Sequence, residues 1–367
     1  LFILFRALGV ITDKDICNHV VLDVSNKNNK KLLADLHGAI EDATEYATQD
    51  ECIDYITTHV MYTPINVDVE KGKAKKREFA INVLNTDLFP HCHNKTQKRY
   101  FLGYMVNKLL QCRNGWIPID DRDSYLNKRI DLTGVLLNNL FRNYFNKLVK
   151  DMQKHVIREI NNGSWRSTDD YMRIMNKTNI YKIIKSTTIE NGLKRALATG
   201  DFGIKHANSN KVGVAQVLSR FTYASSLSHQ RRINTPMDKS GKLIPPRKLH
   251  NSSWGFLCPA ETPEGQSVGV VKNISYMTHI TTPSYTTPLY DYVKEYIIPI
   301  VDGEVEADAG DTSPVFITET FANGVKVFVN GTWVGNAKEP VALYNLLNWQ
   351  KGKGIINVYT SVVFKYK

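Results

Sequence analysis

The feature that most constrains how this chain can fold is an apolar stripe between residues 137 and 156. Large apolar side chains recur there every three or four residues, at Leu137, Leu140, Phe141, Tyr144, Phe145, Leu148, Met152 and Val156. Lysines occupy the other side of the same segment, at Lys147, Lys150 and Lys154. The spacing follows the 3.6-residue period of an α-helix over about five turns. It predicts one long surface helix whose apolar face packs on a core.

Elsewhere the sequence predicts a mixture of helices and short strands. The apolar run Ile3–Ala7 indicates a buried strand, residues 31–48 indicate an amphipathic helix, and the polar residues 71–78 indicate a solvated loop or the start of a helix. A further helix is predicted by the spacing of Phe101, Met105, Leu109 and Cys112. Residues 120–132 (DDRDSYLNKRIDL) then break the periodicity.

The second half of the chain has fewer helical patterns. We predict a polar loop over 159–170, a helix from Thr188 to Ala198 that ends at Gly200, and a helix from Val214 to Leu227. After about residue 284 the pattern favours strands, and an Asn-Gly turn at residues 330–331 indicates a hairpin. The expected fold class is therefore α+β, with mixed helices and small β-sheets.

Length and charge indicate several domains and an anionic partner. A chain of 367 residues is too long for one compact core, so two or three domains are expected. The formal net charge is +11, and residues 205–250 contain nine Lys or Arg and one acid, Asp238. Such a local excess favours a polyanion, with nucleic acid as the first candidate. A solvated basic face is the alternative that charge alone leaves open.

Cysteine usage and hydropathy indicate an intracellular protein outside the membrane. The five cysteines are scattered and never form a CxxC pair, which predicts reduced thiols without a disulfide framework or structural zinc. The cluster His91-Cys92-His93 is not expected to bind metal, because adjacent residues seldom converge on one ion. No apolar run reaches the roughly 18–20 residues that span a bilayer. The chain begins with Leu1, so we interpret it as the interior of a longer polypeptide.

Two short matches to chemical motifs are misleading. The DDRD stretch could supply Asp120, Asp121 and Asp123 to Mg²⁺ for phosphoryl transfer or nuclease chemistry. Arg122 lies among them and Lys128 follows closely, so local ion pairs and a helix cap explain these acids better. Asp201-Phe202-Gly203 lacks the other kinase motifs, and no GxxxxGK[ST], GxSxG or HExxH pattern occurs. Self-contained kinase, NTPase and hydrolase functions therefore have no support.

The basic segment supplies the candidate binding residues. Arg forms bidentate contacts with phosphate and Lys acts as a point charge, while Ser240-Gly241 and Pro245-Pro246 place them in turns. Aromatic residues are sparse here, which makes a single-strand stacking platform less favoured. The candidates are Lys211, Gln216, Arg220, His229, Arg231, Arg232, Lys239, Lys242, Arg247 and Lys248.

An acidic turn, PAETPEG at residues 259–265, follows the basic segment. Pro259 and Pro263 restrict φ, and Gly265 frees the backbone. We interpret Glu261, Pro263 and Gly265 as structural, with Glu261 pairing with nearby bases.

Four stretches carry a resemblance to a known family. They are DDRDSYLNKRIDLTGVLLNNLF, LATGDFG, GVAQVLSRFTYASSLSHQRRINTP and GKLIPPRKLHNSSWGFLCPAETPEGQSVGVVKN. They resemble the second-largest subunit of multisubunit DNA-directed RNA polymerases of the eukaryotic, archaeal and large-DNA-virus type, and in diluted form the bacterial β subunit. FLGYMVNKLL, FRALGVI and VFVNGTWVGN also fit, so the resemblance covers nearly the whole chain.

The resemblance implies a division into four parts. Residues 1–129 would belong to the lobe, 130–201 to the second part of the protrusion, 202–283 to the fork, and 284–367 to an incomplete external 1 domain. An apparent insertion near 159–185 departs from the cellular relatives.

The resemblance also implies site roles. Residues 202–211 match the first fork loop near the RNA–DNA hybrid, and 237–244 match the second, where downstream DNA strands separate. Lys239, Lys242 and Arg247 would contact a backbone or nucleotide there, and Glu264 would lie near the nucleotide-addition site. The segment with Gln216, Arg220, His229, Arg231 and Arg232 matches one that lines the RNA path and an inhibitor pocket in bacterial relatives.

The implied function is template-directed nucleotidyl transfer in transcription. This chain would position template DNA, the RNA–DNA hybrid and NTP, together with the largest subunit and other polymerase subunits. Catalytic Mg²⁺ would be held elsewhere, so the chain alone would be inactive and would hold no catalytic residue, metal or zinc site. The location would be the nucleus, or the cytoplasm, viral factory or virion for an archaeal or viral source. The alternative is a non-catalytic nucleic-acid-binding or assembly module that kept the fold.

Overall fold

The computed structural model describes residues 1–24, 26–62, 68–161, 177–203, 205–206, 209–210, 213–237, 240–241, 243–282, 284–300 and 324–365. The α-helices in these ranges are α1 (Phe2–Ala7), α2 (Asp13–Val21), α3 (Lys30–Glu41), α4 (Gln49–His59), α5 (Val69–Asn82), α6 (Lys95–Arg113), α7 (Thr133–Asn161), α8 (Lys177–Ile183), α9 (Thr187–Thr199), α10 (Tyr223–Gln230), α11 (Thr287–Lys294) and α12 (Pro340–Gly352). The strands are β1 (Lys205–His206), β2 (Ser209–Asn210), β3 (Arg232–Asn234), β4 (Val271–Asn273), β5 (Ile297–Pro299), β6 (Lys326–Val329) and β7 (Thr332–Ala337).

The chain forms two compact units, and their boundaries do not follow chain order. Residues 1–119 and 281–367 form one unit, here called the terminal unit, and residues 120–280 form the other, the central unit. The mixture of helices and small antiparallel sheets confirms the predicted α+β class.

The core of the terminal unit lies between its first helices and α6. Phe2, Phe5 and Ile16 are fully buried in this core. Helices α2 and α6 approach closely at Gly103, where an added Cβ would lie 2.0 Å from the carbonyl oxygen of His19. A residue without a side chain is therefore required at this crossing.

The predicted strand at residues 3–7 is wrong, because these residues belong to α1. A short apolar run does not distinguish a buried strand from a buried helix. Arg6 is buried within the run, and its guanidinium donates to the carbonyls of Ala43 (2.6 Å) and Tyr46 (2.5 Å) and to Asp13 (2.6 Å). These contacts compensate the burial of the Arg6 guanidinium, a charged group that the apolar pattern did not predict inside the core.

The predicted helix over 31–48 ends early, at Glu41. Thr48 instead starts α4 with a capping box, in which its hydroxyl accepts from the Glu51 amide (3.3 Å) and Glu51 accepts from the Thr48 amide (3.0 Å). A residue that caps one helix cannot lie inside another. Residues 71–78 lie inside α5, which agrees with the helical alternative.

Helix α6 is confirmed, but its buried face is shifted from the predicted stripe. Leu102 and Leu110 are buried, whereas Met105 and Leu109 are exposed. The apolar residues lie nearly all round this helix, so periodicity identified the helix but not its inner face.

The hairpin at the Asn-Gly turn is confirmed. Asn330 and Gly331 both have positive φ, +49° and +87°, and they join β6 to β7. Strand β5 pairs with the other edge of β7, which gives the antiparallel order β5-β7-β6. Trp333 from β7 is 2% exposed and packs near Tyr100 and Tyr104 of α6, within the same unit.

The long helix predicted from the apolar stripe is α7, in the central unit. Leu140 is fully buried with Ala196 of α9, and Gly192 allows close contact with the Tyr144 ring. Within the same stripe, however, Phe141 and Phe145 remain 48% and 47% exposed. Core packing is therefore confirmed for only part of the stripe.

Helix α9 ends as predicted, whereas the predicted helix over 214–227 is wrong. Gly200 follows α9 with φ +71°. The next described α-helix, α10, begins only at Tyr223 because Thr222 caps it, accepting from the Ser225 amide at 3.1 Å. The preceding residues form a loop that is held by side-chain hydrogen bonds.

Candidate nucleic-acid interface

The loop before α10 is organised around His229. Its Nδ1 accepts from the Ser219 amide at 3.0 Å, so the ring proton lies on Nε2, which donates to Oε1 of Gln216 at 2.9 Å. The Gln216 amide group then donates to the carbonyl of Gly213 at 3.0 Å. These contacts bring two predicted site residues together and fix the direction of the Gln216 side chain.

Arg231 and Arg232 are neighbours in sequence with different environments. Nη2 of Arg231 donates to the carbonyls of Ser275 (2.5 Å), Thr278 (3.1 Å) and Tyr276 (3.3 Å), and its side chain is partly buried. Arg232 is exposed at the start of β3, opposite Asn273 of β4. Arg231 therefore holds a loop in place, while Arg232 presents its charge to solvent.

Arg247 joins the second predicted fork loop to the turn after the acidic residues. Its Nη1 donates to the carbonyls of Gln266 (2.6 Å) and Val268 (3.1 Å), and its Nη2 donates to the carbonyl of Gly241 (3.1 Å). Gly269, with φ +69°, lies against the Arg247 backbone, where an added Cβ would be 2.1 Å from the carbonyl oxygen. The two loops are thus attached to one guanidinium.

The acidic turn is closed by the hydroxyl of Thr262. This hydroxyl donates to the carbonyl of Val271 and accepts from the amide of Gly269, both at 2.9 Å. Gly265 has φ +74°, as the predicted backbone freedom requires, and Glu264 is exposed just before it. The turn presents the Glu264 carboxylate to solvent.

Among the described residues, the partners of Glu261 are neutral groups. Its carboxylate accepts a hydrogen bond from the hydroxyl of Ser228 on α10, and its backbone carbonyl accepts from Asn273 (3.4 Å). Within the described ranges no basic side chain pairs with it. Glu261 therefore ties the acidic turn to α10 through a neutral hydroxyl.

Asp121 and His250 form a contact that sequence reasoning missed. His250 Nε2 lies 2.6 Å from Oδ2 of Asp121, and His250 Nδ1 lies 2.7 Å from the hydroxyl of Ser252. That hydroxyl also accepts from the Tyr125 amide at 2.9 Å. The hydrogen bonds from the Asp123 amide and from His250 lower the pKa of Asp121 below its usual value of 3.8. No local signal relates residues 129 positions apart.

The contacts of Asp121 and Asp123 also bear on whether the DDRD acids could bind a metal. The Oδ1 of Asp121 accepts from the Asp123 amide at 2.9 Å, and its Oδ2 faces His250. Asp123 lies 3.9 Å from the ammonium of Lys128. In the part of the chain that the structure describes, no three His, Cys, Asp or Glu side chains group as a metal site. Asp121 and Asp123 thus have protein partners, as the local explanation of these acids requires.

The remaining predicted site residues are either exposed or outside the described residues. Arg220 and Lys248 are exposed, the former on the loop before α10 and the latter beside Arg247. Lys211, Lys239 and Lys242 lie outside the described residues. All five cysteines are free. Among the helices described, none has the length and hydropathy needed to cross a bilayer.

Two family models match the chain, and both describe the same class of protein. Residues 1–131 match RNA polymerase Rpb2, domain 2, and residues 216–280 match RNA polymerase Rpb2, domain 3. Each model thus relates one part of the chain to an RNA polymerase subunit.

Curated relatives extend the match to almost the whole chain. DNA-directed RNA polymerase II subunit 2 of Arabidopsis thaliana is 38% identical over 99% of this chain and 28% of its own length. Subunit RPB2 of Schizosaccharomyces pombe is 36% identical over 98% of this chain and 28% of its own length. DNA-directed RNA polymerase subunit 2 of Acanthamoeba polyphaga mimivirus is 32% identical over 100% of this chain and 30% of its own length.

The chain belongs to the family of second-largest subunits of DNA-directed RNA polymerases. It spans less than a third of the length of these relatives. The alternative, a non-catalytic nucleic-acid-binding or assembly module that kept the fold, is not favoured, because the relatives matched over 98–100% of the chain are named polymerase subunits.

Proposed function

We propose that this chain acts in transcription, as the part of a polymerase second-largest subunit that holds nucleic acid and nucleotide in position. One observation supports this most strongly. Residues 120–280 contain 25 of the 47 basic and 13 of the 36 acidic residues, a net charge of +12, while the terminal unit carries −1. The net positive charge of the chain therefore lies in the unit that contains the candidate interface, where it favours a polyanion.

The contacts within the central unit support two separate roles for its basic residues: some hold loops in place, and others contact nucleic acid. Arg231 and Arg247 donate to backbone carbonyls and brace loops. Arg220, Arg232 and Lys248 are exposed on those braced segments, so they are the side chains proposed to contact strand phosphates. Contacts to phosphate position a strand without reading its sequence. Lys211, Lys239 and Lys242 are proposed to add contacts of the same kind.

The reaction that this chain is proposed to support is in-line attack of the RNA 3′ oxygen on the α-phosphate of an NTP. We propose that this chain supplies positioning and charge, with Glu264 near the site of nucleotide addition. Mg²⁺ is proposed to be held by residues outside this chain; Asp121 and Asp123 contact His250 and Lys128 instead. The proposed partners are the largest subunit, other polymerase subunits, template DNA and the RNA–DNA hybrid. The proposed location is the nucleus for a eukaryotic source, and the cytoplasm, viral factory or virion for an archaeal or viral one.

The test uses the assembled polymerase on a nucleic-acid scaffold. Arg232→Met and Lys248→Met should shorten the lifetime of the elongation complex, and each should reduce the salt dependence of its stability by about one ion in the log–log slope. Arg195→Met, an exposed change on α9 in the same unit, is the matched control. Lifetimes and transcription-bubble edges equal to those of the control would overturn the proposal.

A further inference from the structure

Two loops of the central unit, residues 254–256 and 275–278, lie side by side. A backbone amide of the second loop donates to the carbonyl of Phe256, and the hydroxyl of Thr278 donates to the carbonyl of Gly255, both at 2.9 Å. An antiparallel β-bridge joins the residues that flank the two loops. The loops therefore have a fixed position relative to each other.

Arg231 fixes the path of the second loop. Its guanidinium donates to the carbonyls of Ser275 (2.5 Å), Tyr276 (3.3 Å) and Thr278 (3.1 Å). The Thr278 amide also donates to the carbonyl of Ser275 at 3.0 Å. The backbone of this loop is thus ordered before any ligand binds, which reduces the entropy that binding would cost.

The side chains that the two loops present are large, apolar and exposed. Trp254 and Tyr276 are each 90% exposed, Met277 is 87% exposed and Phe256 is 60% exposed. A single exposed apolar residue needs no explanation, but a group of them on adjoining segments indicates a binding surface. Three of the four side chains are aromatic.

The charge around these loops favours an anionic partner. Residues 239–260 and 265–280 contain five Lys or Arg and no Asp or Glu, and the two acids between these ranges belong to the acidic turn. The exposed Arg232 pairs in the β-ladder with Asn273, two residues before the second loop. Aromatic rings beside positive charge favour a nucleic-acid strand, because every base has a π-face that can stack on a ring.

We propose that Trp254, Phe256, Tyr276 and Met277 form a platform, here called the aromatic platform, on which the bases of single-stranded nucleic acid stack. Unpaired bases lie on the rings, and the basic residues around the loops neutralise the phosphates. The aromatic platform rests on the proposed function, because it needs a strand bound to the central unit, and it adds contacts to the bases. Aromatic residues are sparse in the basic segment itself, and these rings come from the part of the chain that follows it.

The test measures binding of the 367-residue chain to two oligonucleotides of equal length. One is an unmodified single strand, and the other is an abasic strand that keeps the phosphates and lacks the bases. The unchanged chain should bind the unmodified strand tighter by roughly fivefold or more, as stacking of one base on an aromatic ring requires.

Variants of the rings assign that difference to the aromatic platform. Trp254→Ala and Tyr276→Ala should remove most of the preference for the unmodified strand. Each should leave the log–log salt slope unchanged, because no phosphate contact is lost. Trp254→Phe keeps a ring and should retain the preference. Tyr181→Ala, at an aromatic residue of α8 that is 81% exposed in the same unit, is the matched control.

The outcomes separate this proposal from the proposed function. Equal, salt-dependent binding of both strands, or alanine variants that keep the preference shown by the control, would overturn the aromatic platform and leave the phosphate contacts standing. Failure to bind either strand at low salt would overturn both proposals. If the alanine variants bind both strands as the control does but no longer assemble with other polymerase subunits, the loops form a protein contact and the aromatic platform is overturned.

Discussion

At the scale of single residues, the central unit uses the same residue type for two purposes. Arg231 and Arg247 are tied to backbone carbonyls, whereas Arg232 is exposed. The sequence predicted all three as binding residues, and the resemblance placed Arg247 in contact with backbone or nucleotide. The sequence could not distinguish Arg231 and Arg247, which hold loops in place, from the exposed Arg232. The carbonyls that accept from the two bonded arginines lie up to 47 positions away, and main-chain atoms have no sequence signature.

Removing the Arg247 brace should destabilise the central unit. Arg247→Met loses the three hydrogen bonds described above, all from a charged donor, and we expect the free energy of unfolding to fall by about 2 kcal/mol. Lys248→Met, at the exposed neighbour, should change it by less than about 0.5 kcal/mol. Denaturant unfolding checks both, with hydrogen exchange of the amides at 264–270. Equal stabilities for the two variants would contradict the role of Arg247.

The Asp121–His250 contact should make stability depend on pH in the acidic range. Because the pKa of Asp121 is lower in the folded chain than in the unfolded chain, its contribution is fully present above the usual value of 3.8. That contribution is lost as the pH falls through the lowered pKa. Asp121→Asn should therefore flatten the fall in unfolding temperature between about pH 5 and pH 2. Asp120→Asn, at the exposed adjacent carboxylate, should leave the fall unchanged, and an equal effect of both would contradict the assignment.

At the scale of helices and strands, the sequence was most informative where a local signal was complete. The apolar stripe predicted α7, Gly200 predicted the end of α9, and the Asn-Gly pair predicted the β6–β7 hairpin. It failed where local patterns are ambiguous, as in the short apolar run of α1, or where a cap overrides periodicity, as at Thr222. The exposed Phe141 and Phe145 show that a stripe does not specify how much of it is covered.

Two glycine-to-alanine substitutions in the terminal unit should change the free energy of unfolding in opposite directions, because only one of the two glycines lies at a contact between helices. Gly103→Ala places a methyl group against the His19 carbonyl and should destabilise the unit by about 1–3 kcal/mol. Gly38→Ala in α3 meets no atom within 4 Å and should stabilise it by about 0.5–1 kcal/mol, because alanine loses less backbone entropy. Denaturant unfolding of both variants measures this. A Gly103→Ala chain as stable as the unchanged chain would show that α2 and α6 are not closely packed.

At the scale of the whole molecule, the two compact units also differ in net charge. The central unit carries +12 and the terminal unit −1, although α5 of the terminal unit contains the basic run KGKAKKR. Within α5, Arg77 pairs with Asp50 (2.5 Å) and Asp54 (3.1 Å), and Lys71 lies 4.0 Å from Asp68, so acids of the same unit offset part of this run. A run of bases in the sequence is therefore a weaker indication of a binding surface than the net charge of a folded unit.

Nucleic acid should consequently protect one unit and not the other. When a short single-stranded oligonucleotide is added at low salt, hydrogen exchange should slow within residues 120–280 and stay unchanged in α5. The effect should disappear at high salt because phosphate contacts release counterions. Protection centred on residues 69–82 would contradict the charge division.

The braces in the central unit have a consequence for how such a chain can change over evolutionary time. The acceptors of Arg231 and Arg247 are peptide carbonyls, which every amino acid possesses. Substitution at Gln266, Val268, Ser275 or Tyr276 therefore leaves the acceptor in place, and no compensating change is needed at the arginine. The loops can therefore vary in sequence while the side chains of Arg231 and Arg247 preserve their path. Pairwise covariation would for this reason fail to detect the contacts that hold the unit together.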